Sequence, residues 1–234
     1  DQDYILSLLR DKIPNEHKII LVFIFKIYII YQEELRSENK IDFNDMINFA
    51  IKKIDYLKYF KYSYIIIDEY QDTSDSKYLL IKKLMDKFNI NLMAVGDDYQ
   101  SIYSFTGCNL KMFTNFKKCF TKSKIIKMKN TYRNPHDIVE ISRRFILKNR
   151  NQINKRLKSN KYLNNSINIV YIKDEEKAFL KIIKDLDNIF VLGRNNKDLD
   201  NVKKISVDKH INYLTVHKSK GLEYHICYFS GFDK

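Results

Sequence analysis

Tryptophan is absent from this 234-residue chain, glycine occurs only five times and proline only twice. The first glycine is Gly96, and no glycine is followed by lysine. That excludes a Gly-x-x-x-x-Gly-Lys loop, the usual backbone cradle for phosphates, from these residues. The three cysteines, Cys108, Cys119 and Cys227, lie far apart with no CxxC pair. They fit neither a disulfide framework nor a zinc site, so free thiols in a reducing cytoplasm are expected. No apolar run reaches the roughly 18 residues of a membrane span, and the nearest, residues 19–31, is interrupted by Lys26. No signal peptide opens the chain, so a cytoplasmic location without membrane contact is the expectation. Arginine is scarce as well: of 42 basic residues, 8 are arginine and 34 lysine.

What is present is a globular composition, 44% hydrophobic with 14% aromatic residues. A chain of this length buries a sizeable core, as one large domain or two of ordinary size. The net charge of +13 invites a polyanionic partner. The lysines, however, stand beside abundant isoleucine, asparagine and tyrosine, the same bias an AT-rich genome imposes. Composition does not explain the few arginines, which are the better clues.

The stretch Tyr64-Ile65-Ile66-Ile67-Asp68-Glu69-Tyr70-Gln71-Asp72-Thr73 organises the rest. Four apolar residues in a row predict a strand buried on both faces. Two carboxylates follow where ligands bind in open α/β sheets, just past the carboxyl end of a strand. Adjacent carboxylates repel unless a cation or a proton transfer uses them. Read as a Walker B strand end, Asp68 holds magnesium, directly or through water, and Glu69 orients and deprotonates an attacking water. The other reading is a core strand running into an acidic surface loop.

Helices are expected over residues 4–11 and 16–36, with Pro14 between them. A third opens at Asp42, an N-cap with Asp45 three residues on, and buries a stripe of Met46, Ile47, Ala50, Ile51 and Ile54. Ser74 or Asp75 caps a helix with Leu79, Leu80, Leu84 and Phe88 inward. Residues 92–96 form a second buried strand, again ending in carboxylates, Asp97 and Asp98. This alternation predicts a parallel sheet of RecA-like type. In the loop that follows, Gln100 is an amide suited to a γ-phosphate or the attacking water. Tyr103 and Phe105 either stack on bases or anchor the core beneath the loop.

Residues 124–128 read as a third strand, running into Asn134 as N-cap and Pro135 in the first turn of a helix over 135–148. Arg133 then lies on a strand-to-helix turn, with a fork matched to phosphate. It reads equally as a surface arginine. The Lys/Asn-rich stretch 148–165 offers no chemistry. Strands over 167–172 and 189–192 flank a helix over 175–186, and strands over 213–216 and 226–229 close the order.

Four of these segments resemble, in order, motifs II, III, IV and V of the UvrD/Rep group of superfamily 1 helicases. They are Asp68-Glu69-Tyr70-Gln71-Asp72, Gly96-Asp97-Asp98-Tyr99-Gln100-Ser101-Ile102-Tyr103, Asn130-Thr131-Tyr132-Arg133-Asn134 and Thr215-Val216-His217-Lys218-Ser219-Lys220-Gly221-Leu222-Glu223. Asp42-Phe43-Asn44-Asp45-Met46 is similar to the segment before motif II, and the third loop and Gly193-Arg194-Asn195-Asn196 are nearest to helicase IV-like members. The resemblance runs from about residue 41 to residue 229.

It implies an α/β fold of two RecA-like lobes with parallel sheets, the P-loop NTPase helicase core, incomplete at both ends. Residues 1–121 would be the C-terminal part of the first lobe with preceding helices, and residues 122–234 an incomplete second lobe. It implies ATP, magnesium, 3′-to-5′ translocation on single-stranded DNA and unwinding at duplex junctions, in a setting such as DNA repair. By motif, Asp68 and Glu69 are magnesium ligand and catalytic base, Gln100 senses the γ-phosphate and Arg133 reaches it as an arginine finger. Tyr132 stacks on adenine and Glu223 contacts the sugar, while Tyr103, Phe105 and His217 face DNA. Phe105 stands where many members have tryptophan, which preserves stacking. Thr106 stands where several have arginine, which puts one polar contact between the ATP and DNA sites in doubt.

The phosphate loop and the motif carrying a second arginine finger are missing, and the interval from Arg133 to His217 is too short for the accessory subdomain of many relatives. The expectation is therefore a helicase fragment that does not hydrolyse ATP by itself. The alternatives are a helicase-like module that only binds DNA or a partner, and a helicase-nuclease subunit.

Overall fold

The computed structural model describes residues 14–171, 175–184, 189–205 and 211–229. The helix expected over residues 4–11 lies outside them. The chain divides into two compact units, one of residues 1–68 and 73–95, the other of residues 69–72 and 96–234. The architecture is mixed α/β with small parallel sheets.

In the first unit, α1 spans Asn15–Ser37 and α2 spans Phe43–Ile54. The start of α2 is a capping box: Asp42 accepts from the Asp45 N–H at 2.7 Å, and the Asp45 side chain accepts from the Asp42 N–H. Such a cap is worth about 1 kcal/mol. Helix α3, Asp75–Phe88, is capped by Ser74 as expected and ends on Asn89 in the left-handed conformation, φ 52°. Two lysines of α3 close the far end of α2. Lys83 donates to the Ile51 carbonyl and to Asp55, and Lys87 donates to the Ile54 and Asp55 carbonyls, at 2.7–3.0 Å. Cations thus meet the last carbonyls of α2, where the helix dipole favours them.

Strands β1, Tyr64–Ile67, and β2, Asn91–Ala94, pair in parallel with Tyr64 opposite Asn91 and Ile67 opposite Ala94. The β1 strand was expected to be buried on both faces; instead its exposure alternates, with Tyr64 67% and Ile66 71% exposed. The sheet has two strands among the described residues, and only one of its faces is covered there.

The second unit opens with a 3₁₀ turn over Tyr70–Asp72. Tyr70 is buried against Phe113 and Phe116, on the short helices α4, Leu110–Thr114, and α5, Phe116–Cys119. Residues 124–128 were expected to form a strand, but they are irregular. Pairing begins only at β3, Asn130–Thr131, which runs parallel to β4, Lys158–Ser159. Helix α6 spans His136–Ile146 with Pro135, not Asn134, at its N-cap position and no side-chain cap. The β4 segment takes over that end: the His136 N–H donates to the Lys161 carbonyl and Ser159 Oγ donates to the Asn134 carbonyl.

The expected strand over 167–172 is not formed either; residues 167–171 are irregular, and residue 172 lies outside the described set. Beyond it, α7 spans Glu175–Ile183 and α8 spans Asn196–Ile205. Parallel strands β5, Ile189–Gly193, β6, Ile211–Thr215, and β7, Ile226–Phe229, make a sheet in the order β6-β5-β7. Central β5 is buried throughout. Phe179, Ile183, Ile189, Val191, Leu199 and Val202 form the core between the helices and this sheet. The three cysteines are free, as expected. Among the described residues, no helix is long and apolar enough to cross a membrane.

Candidate functional site

Asp68 follows β1 directly, and Glu69 is the next residue. Glu69 adopts φ 51°, a left-handed conformation that a non-glycine residue holds at a cost of order 1–3 kcal/mol. Such a backbone persists only where its surroundings fix it. Here the Asp72 N–H donates to the Glu69 carbonyl at 2.9 Å, and Gln71 Nε2 donates to Glu69 Oε2.

Gln71 is fully buried, and its Oε1 accepts from the Asp97 N–H at 2.9 Å. One amide therefore ties the carboxylate expected to act as base to the loop carrying Gln100. Gly96 makes room for it: a Cβ there would lie 2.4 Å from Gln71 Oε1 and 2.8 Å from the Phe113 ring. Gln71 carries no role expected from the sequence. Its position inside the Asp-Glu-Tyr-Gln-Asp segment is the signal that could have singled it out.

Lys220 is the second addition. Its ammonium donates to Asp72 Oδ2, stands 3.7 Å from Glu69 Oε2, and lies over the Tyr103 ring at 4.8 Å from the centroid. Tyr103 in turn donates its hydroxyl to the His217 carbonyl at 2.8 Å, across 114 residues of sequence. The Phe105 and His217 rings meet edge to face at 5.3 Å, and the Tyr103 centroid lies 6.1 Å from Phe105 and 6.2 Å from His217. Phe105 is 71% exposed, so it is not a core anchor. The three residues expected to face DNA thus form one aromatic cluster, and Lys220 joins it to Glu69.

Arg133 and Glu223, expected to meet opposite parts of one nucleotide, are brought together as an ion pair, Nε to Oε1 at 2.5 Å. Both side chains are about half exposed, so the pair is worth about 0–1 kcal/mol. A contact that weak is easily exchanged for phosphate. Tyr132 beside it is 73% exposed.

Gln100 belongs to a third cluster. Its Nε2 donates to Asp97 Oδ2 at 3.1 Å. Lys155 donates to Asp97 Oδ1, and to Asp98 Oδ1 at 2.7 Å. The stretch 148–165, expected to carry no chemistry, therefore supplies the cation for this loop. The Lys155 side chain is 17% exposed and that of Asp98 only 1%. Removing one member of such a buried pair costs about 3–5 kcal/mol.

Burial alone would raise the Asp97 carboxyl, but hydrogen bonds from Lys155 and Gln100 outweigh it and hold it below the usual carboxylate value. Burial alone would lower Lys155, but its bonds to Asp97 and Asp98 raise it above the usual lysine value. Asp97 therefore stabilises the fold above its unfolded pKa and ceases to as pH falls through the folded one. Lys155 stabilises below its unfolded pKa and ceases to as pH rises through the folded one. Asp97 and Lys155 thus keep their charges across the neutral range.

Among the described residues no three His, Cys, Asp or Glu side chains converge as a metal cage. Magnesium needs less: one or two carboxylates, completed by phosphate and water. The hard oxygen donors of Asp68 and Glu69 fit that description.

Comparison with known proteins agrees with these motifs. Residues 8–121 match the UvrD/REP helicase N-terminal domain. The chain is 34% identical over 210 residues to an ATP-dependent DNA helicase Rep of Buchnera aphidicola, covering 82% of this chain and 32% of that protein. It is 36% identical over 159 residues to DNA helicase II of Rickettsia typhi, covering 65% of this chain and 24% of that one. With the ATP-dependent DNA helicase PcrA of Bacillus subtilis it shares 34% identity over 137 residues, 56% of this chain and 18% of that protein. The mixed α/β architecture with small parallel sheets is consistent with these matches. More particularly, the chain is similar to the UvrD/Rep helicases, whose N-terminal domain is matched by residues 8–121. It spans about a third of the length of the Rep relatives.

Proposed function

We propose that the chain is part of an ATP-dependent DNA helicase that moves 3′-to-5′ along single-stranded DNA and separates duplex at junctions. The observation that carries this reading is the aromatic cluster of Tyr103, Phe105 and His217, joined through Lys220 to Glu69. It puts rings suited to bases beside a carboxylate suited to activating water. The relatives' names point to the same pairing of ATP with DNA.

In this reading the chain supplies parts of two RecA-like lobes, residues 1–121 of the first and 122–234 of the second. Asp68 and Glu69 would hold magnesium, which supplies charge neutralisation at the β- and γ-phosphates when bound. Glu69 takes the proton of the attacking water, held in place by the Gln71 amide. Gln100 presents its amide to the γ-phosphate. Tyr132 offers an exposed ring to adenine, and Glu223 binds the sugar once Arg133 leaves it for the transferring phosphate. Lys220 responds to both sides, since it touches the Tyr103 ring and the acidic turn 69–72 at once.

Tyr103→Ala and Phe105→Ala test the DNA half of the reading. Each should weaken single-strand binding by about 1–3 kcal/mol, with little dependence on base sequence. Fluorescence anisotropy with oligonucleotides of different composition measures it. Affinity should also fall steeply with salt, because lysines on phosphate release counterions. Unchanged affinity in folded variants would remove both rings from the DNA surface.

A further inference from the structure

We propose that Lys155, which lies outside the four motif segments described above, is a positioning residue that locks the loop carrying Gln100 in the conformation turnover requires. This rests on the helicase reading for the role of Gln100, but the lock itself rests on geometry alone.

The loop Asp97-Asp98-Tyr99-Gln100 places two carboxylates side by side, and Asp98 is buried. Unneutralised, they would repel each other and drive the loop toward solvent. Lys155 prevents this by bonding one oxygen of each, Asp97 Oδ1 and Asp98 Oδ1. Its ammonium also lies 4.1 Å from the centroid of the Tyr99 ring, the residue between the acids and Gln100. The Tyr99 hydroxyl returns a bond to the Lys155 carbonyl at 3.5 Å. The segment's backbone takes part too, the Ile153 N–H donating to Asp98 Oδ2 at 2.7 Å.

The other oxygen of Asp97 is the one that matters for chemistry. Asp97 Oδ2 accepts from Gln100 Nε2 at 3.1 Å, while the Asp97 N–H donates to Gln71, which also holds Glu69. Lys155 therefore fixes Asp97, and Asp97 fixes both Gln100 and, through Gln71, Glu69. A lysine 55 residues beyond Gln100 in sequence thereby orients the group assigned to the γ-phosphate and the group assigned to the attacking water.

Two measurements test this. In the 234-residue chain, hydrogen exchange should show the amides of Tyr99, Gln100, Ser101 and Ile153 losing protection in Lys155→Met. The amides of β5, β6 and β7 should be unchanged. In a longer protein that carries the phosphate loop, Lys155→Met should lower kcat for DNA-stimulated ATP hydrolysis by about 10²-fold, the scale of a misplacement near 1 Å. KM for ATP and affinity for DNA should stay near wild type, because neither is bound by this lysine. Lys155→Arg, which keeps the charge and can fold where the methionine variant does not, should recover most of the rate. Unchanged loop protection, or an unchanged kcat beside a lowered Tm, overturns the lock and leaves Lys155 a structural cation. A wild-type protein with no DNA-stimulated turnover overturns the helicase reading instead, and with it the role in turnover.

Discussion

Arg133→Ala, in a protein that also carries the phosphate loop, should lower DNA-stimulated ATP turnover by about 10³–10⁵-fold, or roughly 4–7 kcal/mol of barrier. Charge spreads over the equatorial oxygens of the γ-phosphoryl group as it transfers, and a guanidinium placed against them is worth that much. The effect should fall on kcat more than on KM, because the interaction is made in the transition state. Lysine should not substitute, since its point charge lacks the planar fork. The structure adds a second expectation. Arg133 is paired with Glu223 at 2.5 Å, both half exposed, so releasing it costs little. Glu223→Gln should therefore leave the arginine's contribution intact while weakening nucleotide binding modestly. Steady-state kinetics over a range of ATP concentrations separates the two.

Glu69→Gln should lower turnover by about 10²–10⁴-fold or more, the contribution of a positioned general base. ATP binding should be largely spared, because the substitution removes the base and little of the nucleotide contact. The neighbourhood should survive as well: a glutamine oxygen still accepts from Gln71, and Lys220 keeps its bond to Asp72. Titration with a fluorescent ATP analogue beside a phosphate-release assay reads both quantities. Equal loss of binding and turnover would mean that Glu69 holds the nucleotide rather than activating water.

The parts legible in the sequence were those in which a local pattern and its partner agree. The isoleucine run of β1 and the Asn91–Ala94 strand pair as the alternation of strand and helix implies. Central β5 lies where its continuous apolar run belongs, buried between two neighbours. The failures are apolar runs without a partner. Ile125, Ile126 and Met128 look like a strand, as do Ile167, Ile169 and Val170, yet all six are exposed and irregular. β-propensity measures fit to a pleated neighbour, and no neighbour is present there among the described residues. Asn134 has the composition of an N-cap, but Ser159 and Lys161 already satisfy that turn from another segment.

The site shows the same division. Tyr103, Phe105 and His217 were singled out one by one from motifs, and their meeting across 114 residues depended on folding. Lys155 was illegible, because one lysine among 34 carries no local mark of the two carboxylates it meets 57 and 58 residues away. Gln71 was hidden differently. It sat inside a quoted motif, but its use depends on the close approach that Gly96 allows.

The central claim is that Glu69, Gln100 and Arg133 serve one ATP, held by a phosphate loop outside these 234 residues. Phosphate release in the presence of single-stranded DNA tests it most directly. It should be compared between this chain and a protein extended to include a Gly-x-x-x-x-Gly-Lys segment. The account predicts no release above background from the 234-residue chain, because an arginine finger acts only on a nucleotide already held in place. It predicts DNA-stimulated release from the longer protein, abolished by Glu69→Gln. Turnover by the 234-residue chain, itself lost on Glu69→Gln, would contradict the account and place the phosphate site within these residues.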